Sequence, residues 1–369
     1  MTNAPDGSSD ETRAALHELL RTVEEVDAEY LAELSGEELA VGHRALMHLL
    51  GAGLDMFFES DASEPRFRRA HWAGRKFYGD NSDCIYYTAQ IDPRAVYRIS
   101  GNVAGAAYTS FTVEGGGIDE RYPPARVVSA LHDGQFDVAA DGSYEIFVSS
   151  EPQPANWLRL EPDAASISTR HYFERATPIA ADPLVHIPLA IDVVGSAPRP
   201  PSLTAGIARD IRRLSTFVRG LTLGTGRRPG SPAPAGGPLP NQFNPPAAWT
   251  AERGYGAVDI VNMMTRYELG SDEALVIEGR FPPCRFASIA LWNRYLQTLD
   301  YVHHRVSLNR AQLELGPDGG FRAVVAQEDP GVANWIETTG ENTGTIFVRV
   351  ILPEAEVTPL TARVVTTRS

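Results

Sequence analysis

Only two cysteines, Cys84 and Cys284, occur in the 369 residues, and neither belongs to a Cys-x-x-Cys pair. That excludes a disulfide framework and a thiolate zinc knuckle, and leaves two buried, inert thiols as the expectation. Lysine is nearly absent too: Lys76 is the only one, every other basic side chain being arginine. A Schiff-base mechanism therefore has one candidate position, although an arginine-biased genome explains the shortage without chemistry. Basic residues are outnumbered, 33 against 47 acidic ones, for a net charge of -14. A field of that sign repels the phosphates of nucleic acid and anionic membrane surfaces, so neither is an expected partner. No apolar run approaches the roughly 20 residues of a membrane-spanning helix, and "LVHIPLAIDVVG" is interrupted by His186 and Pro188. The polar, acidic start "MTNAPDGSSDETRAAL" lacks the basic and apolar regions of a secretory signal, so a cytoplasmic location is expected. Also missing are a Gly-x-Ser-x-Gly elbow, a Walker lysine, a His-Glu-x-x-His pair and an EF-hand loop; no cofactor and no metal are predicted. "GTGRRPG" at 224–230 has the glycines of a phosphate loop, but at the wrong spacing and before prolines rather than a helix.

What is present is enough for two ordinary cores, with 43% hydrophobic and 22% charged residues. Residues 1–65 read as helices. In "SGEELAVGHRALMHLLGAGLDMFF", Ser35 and Glu38 form a capping-box pattern, and Leu39, His43, Leu46, Leu50, Leu54 and Phe57 recur on one helical face. With "DETRAALHELLRTVEEVDAEYLAEL" before it, this predicts a helical hairpin, His43 packing on the apolar face rather than acting as a ligand. From about Phe77 onward, "AVYRISG", "AAYTSFTV", "GQFDVAADGSYEIFVSS" and "ASISTRHYF" read as antiparallel strands, with an Asp-Gly turn of hairpin type in "AADGSYEI". "PSLTAGIARDIRRLSTFVRGLTL" reads as a helix, and the Pro- and Gly-rich "GRRPGSPAPAGGPLPNQFNPP" as a linker too poor in side chains to pack. Strands resume after Trp249.

The second strand region repeats the first. The tripeptide Ala-Asn-Trp occurs at 155–157 and 333–335 in a chain with five tryptophans, and Asn156 and Asn334 are 178 positions apart. The same spacing sets "YRISG" at 97–101 on "LVIEG" at 275–279 and "ARVVSA" at 125–130 on "HHRVSL" at 303–308. "ASISTRHYF" falls on "GTIFVRVIL", bringing Arg170 opposite Arg349. Collinear matches over about a hundred residues indicate a duplicated β-domain. The expected fold is mainly β with α: tandem antiparallel, jelly-roll-like β-sandwich repeats at 66–180 and 249–369, a helical segment at 1–65 and a helical connector at 181–248. In each repeat the tryptophan is expected to cover the open end of its sandwich while the asparagine bonds neighbouring backbone.

"YGDNSDCIYYTAQIDPRAVYRISG", "DGSYEIFVSSEPQPANWLRLEP", "SDEALVIEGRFPPCRFASIALWNRYLQTLDY" and "DPGVANWIETTG" resemble bacterial members of the domain of unknown function 1214 family over most of residues 66–365. The resemblance implies a jelly-roll β-sandwich and a cytoplasmic, actinobacterial-style protein. It brings no established reaction and no catalytic residue.

Site residues must therefore come from chemistry. The richest polar cluster is "LWNRYLQTLDYVHHRVSLNR", which as a strand points Tyr301, His303, Arg305, Ser307 and Asn309 one way and His304 the other. Two histidines pointing apart cannot share a metal. Asn293, Arg294, Tyr301, His303, Arg305 and Asn309 are candidate ligand contacts, joined by Asn334, Trp335 and Arg349, because Asn, Trp and Arg together recognise a sugar or a carboxylate. A solvated sheet face is the competing reading. "GDNSDC" places Asp80, Asn81 and Asp83 at a turn; three oxygens fall short of a calcium site, and an Asx-turn is expected. Three functions follow: binding of a small molecule, sugar or lipid-like, in a cleft of the second sandwich; a hydrolase of a carbohydrate or ester using His303 and carboxylates; or a scaffold without a site.

Overall fold

Helices come first, as the spacing of apolar side chains requires. The computed structural model describes residues 7–117, 119–229, 239–252 and 254–367, with side chains from residue 10 onward. Helix α1 (Gly7–Glu25) ends in a π-helical turn over Val26–Tyr30; α2 (Gly36–Phe58) and α3 (Leu203–Leu221) complete the helical layer. Both α1 and α2 pack on α3, so the predicted hairpin is held together by the connector's helix. Ser35 is the N-cap of α2 in extended conformation, yet its side chain makes no cap bond. The capping box is not formed, because Glu38 is drawn away to pair with Arg294 at 2.7 Å.

The buried stripe of α2 is Gly42, Ala45, Leu46, Leu49, Ala52, Gly53, Met56 and Phe57, rotated from the face that leucine spacing predicts. Small residues decide the rotation. A Cβ on Gly53 would lie 2.3 Å from Leu214 of α3, so the helices approach through glycine and alanine and leave Leu54 at the surface. His43, expected to be packed, is exposed and bonded to Asp27 at 2.7 Å.

The β-branched and aromatic runs give nine strands in each half among the described residues. The first half has β1 (Arg68–Arg69), β2 (Cys84–Gln90), β3 (Val96–Asn102), β4 (Tyr108–Gly115), β5 (Arg126–His132), β6 (Ser143–Ser149), β7 (Trp157–Arg159), β8 (Ala164–Tyr172) and β9 (Leu189–Val194). The second has β10 (Ala247–Ala248), β11 (Ile260–Glu268), β12 (Glu273–Gly279), β13 (Phe286–Trp292), β14 (Ser307–Asn309), β15 (Phe321–Ala326), β16 (Trp335–Glu337), β17 (Thr343–Ile351) and β18 (Thr361–Thr366). Sheets of order β1-β2-β8-β4-β5 and β7-β6-β3-β9 make the first sandwich; β10-β11-β17-β13-β14 and β16-β15-β12-β18 make the second. Advancing each strand number by nine converts one description into the other, including the parallel pairs β6–β7 and β15–β16 among otherwise antiparallel ladders. The fold is two tandem β-sandwiches of jelly-roll type with an N-terminal helical segment and a helical connector. Strand β9, within the stretch read as connector, pairs with β3. The Asp141–Gly142 turn joins no hairpin, since β5 and β6 lie in different sheets.

Each sandwich has its own core, and that of the second extends onto Ile85, Tyr87 and Phe173 of the first. The Ala-Asn-Trp motif is the crossover into the short parallel strand. In both copies the indole N–H donates to the last carbonyl of the neighbouring strand, Trp157 to Ser149 at 3.1 Å and Trp335 to Ala326 at 3.0 Å. Both asparagine amides bond the backbone: Asn156 donates to Glu145, and Asn334 donates to Glu314 and Arg322. The tryptophans are half-buried, lying along the sheet end rather than under it. Of the Pro/Gly-rich linker, residues 230–238 lie outside the described residues; beyond them Asn241 and Asn244 bond Arg266, Glu268 and Met264, which ties the linker's end to β11.

Two outcomes test this packing. Gly53→Val should lower stability by about 1–3 kcal/mol in urea unfolding, because the helices cannot separate without opening their core; an unchanged midpoint would show that α2 and α3 do not meet there. Asn334→Ala leaves buried backbone groups unpaired and should cost about 1–3 kcal/mol, more than Asn156→Ala, whose site is open to water; equal losses would contradict the difference in burial between the two copies.

Candidate functional site

Side chains alternate across a strand, so the register of each large sheet sorts them into rows on its outer face. In the first sandwich the rows across β2, β8 and β4 are Gln90–Ser166–Glu114, Thr88–Ser168–Thr112, Tyr86–Arg170–Ser110 and Cys84–Tyr172–Tyr108. In the second, across β11, β17 and β13, they are Arg266–Thr345–Trp292, Met264–Phe347–Ala290, Asn262–Arg349–Ser288 and Ile260–Ile351–Phe286. The last row of each sheet meets the other in one cluster, with the rings of Tyr172 and Phe286 4.7 Å apart. The arginine rows come next, so both arginines lie at the junction of the sandwiches, Arg170 being 7% and Arg349 5% exposed.

Around them stand His71, Cys84, Tyr86 and Tyr172. The fields of Arg170 and Arg349 reach His71, Cys84 and Tyr172 alike. Burial pushes the Cys84 thiol up to about 12, so it is no nucleophile, and holds the His71 imidazole down to about 3. Nε2 of His71 faces the Phe77 carbonyl at 2.9 Å and must donate to it, which leaves Nδ1 of the neutral ring as an acceptor. That Nδ1 is shut from solvent and has no partner among the described residues. The ring is stacked on Phe77 at 4.2 Å and edge-on to Tyr86 at 4.9 Å, and the Tyr86 hydroxyl lies 3.3 Å from that of Tyr172. Arg349 lies over Phe347 and Trp292, at 4.4 and 5.1 Å, and donates from Nη2 to the Gly79 carbonyl at 2.7 Å; its Nη1 is closed off and unpartnered. Thr88 and Gln90 each contribute another closed-off polar atom without a partner among the described residues on the first sandwich's side. Glu114 is fully buried, accepting from Ser168 at 2.8 Å and from the Tyr255 N–H at 2.9 Å, and burial raises its carboxyl to about 7.

The residues singled out from sequence are dispersed. Asn293 shapes its own turn, accepting from Tyr295 and Gln297. Arg294 pairs with Glu38. Residues 301–304 form a turn, not the expected strand, which is confined to Ser307–Asn309. The reason is local: Asp300 accepts from the backbone of Val302 and His303 and from the His303 ring at 2.9 Å, bending the chain. The His303 side chain is 72% exposed, and His304 pairs with Glu337 across the surface. Arg305 bonds the Ala333 carbonyl. Tyr301 is buried beneath Lys76, whose ammonium donates to the carbonyls of Thr298 and Leu299, a structural use of the single lysine. Asn309 donates to Asp83 and to the Arg175 carbonyl of the first sandwich's side, and its Oδ1 is closed off without a partner among the described residues. Asn334 borders an open groove of about 700 Å³ on the second sandwich, but its amide is spent on backbone, and Trp335 on Ala326. Of the nine, Arg349 lies in the row beside the cluster shared by the two sheets, and Asn309 crosses to Asp83 at the edge of the first sandwich. Among the described residues no group of three or more His, Cys, Asp or Glu side chains could hold a metal, and no helix is long and apolar enough to cross a membrane.

His71, Tyr86, Tyr172 and Trp292 escaped the sequence reading, which looked for surplus polarity within one segment. A signal existed nonetheless: the spacing of 178 that aligns the repeats also sets Glu114 opposite Trp292, an acid against an aromatic in the neighbourhood of the paired arginines.

Comparison with known proteins places the whole architecture. A solved structure of an uncharacterised protein from Burkholderia cenocepacia is similar over 98% of this chain and 96% of that one, at 28% identity and a TM-score of 0.77. A Vibrio parahaemolyticus protein is more distantly similar, at 9% identity and a TM-score of 0.47 over 87% of this chain and 98% of that one. No curated protein matches the chain. A family match falls on the first sandwich: residues 88–175, from within β2 to just past β8, match the family described as proteins of unknown function, DUF1214.

Proposed function

We propose that the protein binds a small polar molecule in the layer between the two large sheets, against His71, Tyr86, Tyr172 and Arg349. One observation carries the reading: a donor on Arg349 and an acceptor on His71 are both closed off from water and unpaired. Burying such groups without partners costs about 1–3 kcal/mol each, more for a charged donor, and a ligand with hydroxyl and acidic groups would offset both. The rows of hydroxyls on the first sandwich favour a sugar-like or other polyfunctional polar ligand over a lipid-like one. The hydrolase reading loses its centre, because His303 and Asp300 sit on an exposed turn with no second carboxylate paired across a cavity. A cytoplasmic setting is part of the proposal, supported by two free cysteines.

The test is ligand-observed NMR with mixtures of methyl glycosides, medium-chain alcohols and small carboxylates. We expect binding from a polar class, weakened about tenfold or more by His71→Phe and unchanged by His303→Ala. Binding indifferent to His71→Phe but lost in His303→Ala would return the site to the 300–305 turn, and no binding to the wild type would favour a scaffold.

A further inference from the structure

Arg349 has a twin, and the two differ in one neighbour. In the first sandwich Arg170 donates to Thr112 and to the Tyr255 carbonyl, both at 3.0 Å, while Glu114 accepts from the N–H of the same Tyr255. The Glu114 carboxylate favours the charged form of Arg170 and stands as its internal counter-ion. It is paired with Ser166 of β8; at the matching place, paired with Thr345 of β17, the second sandwich has Trp292. Arg349 thus keeps the position of Arg170 without an acid in the neighbouring row, the nearest carboxylates in its field being those of Asp80 and Asp83 outside the sheet. Among the described residues its one side-chain hydrogen bond goes to the Gly79 carbonyl, and the guanidinium lies against the rings of Trp292 and Phe347 with Nη1 unpartnered.

A buried cation over aromatic rings gains about 0.5–2 kcal/mol per ring, and Asp80 and Asp83 lie within its field, but among the described residues no carboxylate reaches its guanidinium, so the closed-off Nη1 still lacks a direct acceptor. We propose that Arg349 takes the anionic group of the ligand, a carboxylate or phosphoryl group from outside doing for the second repeat what Glu114 does for the first. This rests on the reading of the layer as a binding site. Guanidinium groups bind both anions through charge-assisted, often forked, hydrogen bonds. His71, neutral with a bare Nδ1, adds no charge and accepts from a hydroxyl or amide beside the anion.

Inorganic phosphate and acetate are the probes, each titrated against chloride at matched ionic strength and read by thermal unfolding. One of them should raise Tm of the wild type saturably; a phosphate-only response assigns a phosphoryl group, and an acetate-only response a carboxylate. Trp292→Glu, which supplies the second repeat with the first repeat's acid, should abolish the saturable shift, as should Arg349→Met, while Arg349→Lys should weaken it about tenfold or more. Far-UV circular dichroism checks that each variant folds, and the Glu and Lys variants carry the test if Arg349→Met does not. A wild type indifferent to both anions, or a shift of equal size in the folded variants, overturns the proposal. Binding of a neutral glycoside that depends on His71 while both anions stay silent would remove the anion and leave the site.

Discussion

Five consecutive residues, Gly79 to Asp83, hold the two sandwiches in register. They lead directly into β2 of the first sandwich, yet every one is bonded to the second. The Gly79 carbonyl accepts from Arg349 and that of Asp80 from Trp292 and Thr298; Asn81 donates to Ser288, Ser82 shares a hydrogen with Ser307, and Asp83 accepts from Asn309. The Asx-turn foreseen in "GDNSDC" is present, Asp83 N–H donating to Asn81 at 2.7 Å, and its purpose is to turn successive polar groups onto the neighbouring sheet. Glycine is required at the head of this strap: its φ is +87°, and a Cβ would stand 3.2 Å from Trp292. The cost falls on the acids. Burial raises Asp80, and raises Asp83 to about 7 against the Asn309 bond, so the strap exchanges two well-hydrated carboxylates for fixed geometry. What that geometry secures is the position of Arg349, whose carbonyl partner and aromatic bed are both set by the strap.

Once the strap is in place, the divergence of the repeats has a direction. The outer rows of the first large sheet are polar in every position except the Cys84 row, and Arg170 is neutralised within them. The corresponding rows of the second have become Met264, Phe347, Ala290 and Trp292 around an arginine that did not change. A site is not required by the fold here, since the first copy shows the same ladder closed upon itself by Glu114. The difference between them in this row is one side chain, Glu114 in the first copy and Trp292 in the second.

Much of the architecture was legible because it is periodic. The repeat spacing, the tandem sandwiches and the connector helix each depend on patterns that a single strand or helix carries in its own residues. The errors share one cause, which is that partners lay far off in sequence. The stripe of α2 was turned by Leu214 meeting Gly53, the Ser35–Glu38 box was undone by Arg294, and Asn309, a candidate ligand contact, was already spent on Asp83 and Arg175. Surplus polarity in the 293–309 stretch was real, but turns and cross-repeat bonds used it. The junction was invisible for the same reason: His71, Tyr86, Tyr172 and Arg349 come from segments separated in sequence, and nothing local says that they meet.

The two Ala-Asn-Trp motifs and the two arginines were inherited together, yet only the motifs kept identical work. At the crossover into β7 and β16 the chain enters a parallel pair after an antiparallel one, and the last carbonyl of β6 or β15 accepts twice, from a backbone N–H of Leu160 or Thr338 and from the indole N–H. The backbone sets that crossing, and it is the same in both copies. The charge of an arginine imposes something weaker, a counter-charge from any source. Glu114 supplies it within the sheet row of the first copy; the second has an aromatic there, and the carboxylates in the field of its arginine, Asp80 and Asp83, come from the strap. Backbone constraints are therefore where duplicated sandwiches stay alike, and buried charges are where one copy can acquire a ligand without disturbing the fold it shares with the other.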